Sequence, residues 1–176
     1  MAPAIGLRDA VPADLPTIAR LCRAHALYER AAPPPPEQAE RLARLLFGVP
    51  PRLWCLVAAE GEQLVGYATW SLECSTWRAA EYAHLDCLYL EEALRGRGLG
   101  RALLERVAAR AAELGATHLE WQTPAWNAGA IRFYERLGAS GSDKKRFTWI
   151  FQPPPERSEL PGGDTTTAGS RGLATE

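Results

Sequence analysis

The 176 residues carry 47% hydrophobic and 23% charged side chains and a formal net charge of −1, the profile of one soluble globular domain large enough to bury a core without staples. That near-neutral balance gives no electrostatic reason to expect nucleic acid or an anionic membrane as partner, and no run approaches the roughly 18 apolar residues of a membrane span. Cys22, Cys55, Cys74 and Cys87 form no CxxC pair and lie at no metal-ligand spacing from a histidine, so no metal is expected. Three of them stand in apolar runs and read as small buried hydrophobes, and a reduced, cytoplasmic setting is the default. Arg8, Asp9 and Asp14 interrupt any apolar stretch near the start, so no signal peptide is expected.

Ile5–Asp9 predicts a short strand and Val11–Asp14 a turn that opens a helix. Leu15, Ile18, Leu21, Cys22, His25 and Leu27 give that helix one apolar face, to about Arg30. Pro33–Pro36 cannot continue it and read as a stiff connector to a second amphipathic helix over Glu37–Phe47. Leu53–Ala59 and Leu64–Leu72 predict a hairpin around Glu60-Gly61-Glu62, and Glu81–Leu90 a longer strand. Leu99–Leu114 is strongly periodic and ends at Gly115. Thr117–Gln122 then predicts a strand, Ala128–Leu137 a helix ended by Gly138, and Phe147–Phe151 a last strand. From Pro153 the chain is Pro, Gly, Ser, Thr and charge, with only Leu160 and Leu173 to bury. Residues 1–152 are therefore the expected domain, and 153–176 a disordered tail. Early hairpins and late strand–helix units argue for an α/β fold, a mixed sheet with helices on both faces.

The strongest chemical signal is Arg95-Gly96-Arg97-Gly98-Leu99-Gly100, between a strand and a long helix. Glycines let the backbone approach closely, and the first amides of the helix are free to meet an anion. Arg95, Arg97 and Arg101 add charge that suits a pyrophosphate. A glycine turn with basic decoration fits the same residues, whereas the spacing is neither a dinucleotide fingerprint nor a Walker loop.

Leu94–Gly115 resembles the coenzyme A motif of the GNAT N-acetyltransferases. Some thirty residues on, Trp126-Asn127-Ala128-Gly129-Ala130-Ile131-Arg132-Phe133-Tyr134 with Leu137-Gly138-Ala139 resembles that family's second motif. Leu27-Tyr28-Glu29, Phe47-Gly48, Trp54–Ala58, Leu64–Ala68 and Leu85-Asp86 narrow the likeness to the spermidine/spermine (diamine) branch, over roughly residues 4–151.

The resemblance implies a GNAT fold, with a partly splayed sheet open between its fourth and fifth strands. Acetyl-CoA would be the co-substrate, its pantetheine arm paired with the backbone of Leu88, Tyr89 and Leu90. Arg95, Gly96, Arg97, Gly98, Leu99, Gly100 and Arg101 would hold the pyrophosphate, and Asn127, Ala128, Gly129 and Ala130 would line the acetyl-CoA side. Homodimers are common in the family, so a homodimer is expected.

An aliphatic amine of pKa about 10 is an ammonium at neutral pH and must lose a proton before it attacks. Asp86 stands where the diamine enzymes carry a glutamate base, one methylene longer; His84, two residues away on the same strand face, competes for the role. Tyr134 matches the tyrosine assigned as acid for the leaving thiol and also touches the coenzyme, although a half-buried aromatic fits it too. Tyr28, Glu29, Asp86, Glu120, Trp121 and Gln122 are the expected walls of the amine site, with Trp77 and Glu81 as weaker candidates. Where the diamine branch carries acids near its last strand, this chain has Asp143-Lys144-Lys145-Arg146. That reversal disfavours a long polycation and favours short diamines or lysine-like amino acids. The expected partner is thus a small-molecule amine. A protein or peptide amine, and a coenzyme-binding module without catalysis, are the competing readings.

Overall fold

The computed structural model describes residues 5–151; the tail expected over 153–176 lies outside them. Chain order runs β1 (Ile5–Asp9), α1 (Leu15–Tyr28), α2 (Gln38–Phe47), β2 (Trp54–Glu60), β3 (Gln63–Ser75), β4 (Ala80–Leu90), α3 (Leu99–Glu113), β5 (Leu119–Trp121) and α4 (Ala128–Arg136). The five strands form one sheet in sequence order. β1 to β4 are antiparallel neighbours, while β5 runs parallel to β4. The parallel step requires a crossover, which α3 supplies. This is the mixed sheet flanked by helices that the sequence pattern and the resemblance imply.

Strand alternation sends two sets of side chains to two cores. On one face Ile18 and Leu21 of α1 and Leu46 of α2 bury Cys55, Val57, Leu64 and Tyr67. On the other, Leu103, Leu104, Val107 and Ala111 of α3 cover Leu56, Ala68, Trp70, Ala83 and Leu85. Cys55 is buried and all four cysteines are free thiols, Cys74 being exposed.

One expected element is missing. The folded unit extends to Ser140, and the described residues from Gly141 to Phe151 have no regular secondary structure. The strand expected over Phe147–Phe151 does not form. Its residues have β propensity, but among the described residues the segment has no ladder partner, and a short strand has no stability without one. Phe147, Trp149 and Ile150 stand almost fully exposed as a result. Other boundaries shift by one or two residues, and by more in two places: β3 runs three residues past Leu72, and β5 is shorter than Thr117–Gln122.

Candidate active site

The β4–β5 ladder stops at the Leu85–Trp121 pair. Cys87–Leu90 is therefore paired with β3 on one side and has no strand partner on the other among the described residues. A bulge falls at the same place. Leu85 pairs with Trp70 and Cys87 with Thr69, so Asp86 is the extra residue. A bulge re-aims the side chains that follow it. Here Leu88 and Leu90 return to the α3 core while Cys87 and Tyr89 join the α1/α2 core. Asp86 is left exposed; its Oδ2 accepts from Thr69 Oγ1 at 3.4 Å and from the Cys87 thiol at 3.6 Å.

The glycine loop follows this open edge. Gly98 caps α3 with φ +80° and Gly96 has φ +77°, a region that L side chains avoid. The first α-helical bond, Ala102 N–H to Gly98 O at 3.1 Å, leaves the amides of Leu99, Gly100 and Arg101 without an intrahelical acceptor. The side chains of Arg97 and Arg101 are exposed beside them. Free amides, space with no Cβ and two cations fit a pyrophosphate. Gly100 has a different reason to lack a side chain, because a Cβ there would meet Phe133 of α4 at 3.2 Å.

Arg95 does not project with the other loop arginines. Its guanidinium lies over the ring of Tyr28 at 4.4 Å and that of Tyr89 at 5.6 Å, and its Nε donates to Leu90 O at 3.0 Å. It thereby joins the end of α1 to β4. The Tyr28 hydroxyl reaches Asn127 Oδ1 at 3.5 Å, and that oxygen also accepts from Ala130 N–H at 3.2 Å, capping α4. Asn127 is buried, while Ala128 and Gly129 are exposed on the first turn.

Glu29 caps the C-terminus of α1 and holds its carboxylate 3.5 Å from His25 Nε2. Tyr134, on α4, packs against Trp121 at 4.9 Å and Phe133 at 5.1 Å between ring centroids. Burial, with the Glu29 carboxylate and Cys87 adding to it, pushes the Tyr134 phenol up to about 12, so it stays protonated at neutral pH. Burial and the Asp86 charge likewise push the Cys87 thiol up to about 12, which leaves it a poor nucleophile.

The remaining expected residues separate. Glu120 pairs with His84 across the ladder and accepts from His118 Nε2 at 3.2 Å. Trp121 points to the other face, into the α3 core beneath Tyr134. Gln122 is exposed just past β5, Trp77 is fully exposed in the β3–β4 turn, and Glu81 is exposed with its carbonyl bonded to Thr117. The pattern missed His25, Tyr67 and Thr69 as site residues. One signal was available for His25: a polar ring on the buried face of α1, four residues before Glu29.

An edge strand ending in a glycine-built anion cradle, with a protonated phenol and carboxylates beside it, describes a coenzyme-dependent group transferase. The comparisons agree. A transcriptional regulator from Bacillus halodurans C-125 shares the fold, with a TM-score of 0.72 and 23% identity over 84% of this chain and all of that one. The thialysine N-epsilon-acetyltransferase of Bos taurus is 31% identical over 76% of this chain and 82% of its own length. The D-amino-acid N-acetyltransferase HPA3 of Saccharomyces cerevisiae is 30% identical over 58% of this chain and 65% of its own. The chain belongs to the acetyltransferase (GNAT) family, whose model matches residues 18–139. It is an acetyl-CoA-dependent N-acetyltransferase.

Proposed function

We propose that the acceptor is the primary amine of a small molecule, either a lysine-like amino acid or a short diamine. The observation that carries this reading is the Glu29 carboxylate at the end of α1, 3.5 Å from His25 Nε2. The Asp86 charge also acts on the His25 ring, and Glu29 acts on Tyr134. Carboxylates from two elements suit an ammonium ion, as the names of the thialysine and D-amino-acid relatives also suggest.

The chemistry then follows from the residues. Acetyl-CoA supplies an activated acetyl thioester. Arg97, Arg101 and the amides of Leu99, Gly100 and Arg101 hold its pyrophosphate, and the open edge of Leu88, Tyr89 and Leu90 holds its arm. Asp86 takes the ammonium proton, directly or through one water, and the free amine attacks. As the C–N bond forms and the C–S bond breaks, the Tyr134 hydroxyl, kept protonated by burial, gives its proton to the departing thiolate and regains one from the acetylated nitrogen. Transfer is direct, within a ternary complex, as the resemblance implies, and the Cys87 thiol beside Asp86 is held protonated by burial and is a poor nucleophile.

The exposed Phe147, Trp149, Ile150 and Phe151 support a homodimer, since large apolar side chains grouped on a surface favour a protein contact. Free thiols suit a reducing cytoplasm. The deciding experiment is thiol release from acetyl-CoA against lysine, thialysine, ornithine, putrescine, spermidine and spermine at one ionic strength. Lysine-like amino acids or putrescine are expected to give the highest kcat/KM. A clear preference for spermine would show that Lys144–Arg146 has no bearing on selectivity.

A further inference from the structure

We infer that His25 is a positioning residue for the acceptor amine: its Nε2–H steers the Glu29 carboxylate while Nδ1 is held by the Tyr67 hydroxyl. The inference rests on the reading of Glu29 as an acceptor-site residue and adds to that site a group no motif marks.

The ring is fixed on every side. Its side chain is 12% exposed. It lies edge-on to Tyr67 at 6.1 Å and tilted against Tyr89 at 5.2 Å. Nδ1 is 3.1 Å from Tyr67 Oη, and Nε2 is 3.5 Å from Glu29 Oε1. One tautomer serves both contacts. A lone pair on Nε2 would face a carboxylate, so the proton belongs on Nε2 and the phenol donates to Nδ1. Tyr67 suits that part, because burial holds its hydroxyl far above the ordinary value and it remains a donor.

The charged and titratable groups that face the ring are Glu29 from its own helix, Tyr67 from β3, Asp86 and Tyr89 from β4, and Arg95 from the loop. Burial outweighs the pull of the two carboxylates and holds His25 below its ordinary value. The neutral state matters. An imidazolium would cancel the Glu29 charge and repel an ammonium, whereas a neutral donor directs the carboxylate and leaves its charge for the acceptor. Packing alone does not account for a histidine here, since an aliphatic residue would fill the space without the cost of burying two polar nitrogens.

The test uses the full chain and the fastest amine of the panel. His25→Asn, too short to reach Glu29, should raise the acceptor KM about tenfold or more while kcat and coenzyme affinity stay near wild type. His25→Gln, which restores a donor at the Nε2 position, should recover most of the loss. In a Glu29→Gln background, His25→Asn should add nothing. Nitrogen-15 spectra of the wild type should show a neutral His25 with its proton on Nε2, and Glu29→Gln should shift that resonance.

If Glu29→Gln raises KM but His25→Asn does not, His25 only packs and the inference fails while the acceptor reading stands. If Glu29→Gln leaves KM unchanged, or no amine reacts, both fall. A proton on Nδ1 overturns the inference even if His25→Asn fails to fold.

Discussion

At Gly98 the proposed site is made of backbone, and at Glu29 it is made of side chains. The proposed coenzyme end draws on consecutive residues: two glycines at positive φ and a helix start with unbonded amides. The proposed acceptor end draws on α1, the β4 bulge, the loop arginine and α4, which are far apart in the chain. A backbone site fails abruptly when geometry is lost. A side-chain site is expected to degrade by degrees, and to change its choice of amine before it loses transfer.

The sharpest way to break this contrast is at Gly98. Gly98→Asp forces a side chain into φ +80° and places a negative charge beside the free amides of α3. Coenzyme affinity measured by calorimetry should fall by about 100-fold or more in a variant whose circular dichroism is unchanged. Unaltered affinity would remove the pyrophosphate from this loop.

Next in size is Tyr134→Phe, which should keep coenzyme affinity and lower kcat by about 100-fold. The phenol is pushed up to about 12, so the proposed acid role holds below that value and is lost only as pH rises through it. Wild-type kcat should therefore show no alkaline decline from Tyr134 below a pH of about 10. Full activity in the variant would reduce the residue to packing against Trp121 and Phe133.

The same contrast explains what could be read without coordinates. Arg95–Gly100 was legible because glycine, basic residues and helix periodicity are local properties of the chain. The elements and their order along the chain were legible for the same reason, apart from Phe147–Phe151. There the propensity is local, but the ladder partner a strand needs is not. Arg95 itself shows the limit. Its sequence neighbours place it on the proposed phosphate loop, yet its guanidinium stacks on Tyr28, a residue from α1 far away in the chain. Trp121 and Glu120, adjacent in sequence, part to opposite faces of β5, a separation fixed by the register with β4.

At the proposed acceptor end, Asp86 and His84 are the two candidate bases, and their pairing differs. Asp86 is the bulge residue, exposed at the open stretch of β4, while His84 is paired on both sides, with Ser71 and Glu120. Asp86→Ala should lower kcat/KM by on the order of 100-fold, and His84→Ala by only a few-fold. The reverse order would make His84 the base and return Asp86 to an ordinary bulge residue.

The smallest effect is expected at Gly100, close in sequence to Gly98 but constrained for another reason. It has no unusual φ; a Cβ would instead approach Phe133 Cζ at 3.2 Å. In Gly100→Ala that ring must yield by a few tenths of an ångström, a strain of about 1 kcal/mol that the better helix propensity of alanine roughly offsets. Thermal stability should therefore change little. The amide of residue 100 stays in place, so coenzyme affinity should fall by no more than a few-fold, far less than in Gly98→Asp. Phe133 also packs against Tyr134, with ring centroids 5.1 Å apart, so a displaced ring is felt first at the acid. A modest drop in kcat with near-normal coenzyme affinity is the expected signature. If affinity instead collapses as in Gly98→Asp, the two glycines serve one purpose, and α4 is not held independently of the phosphate cradle.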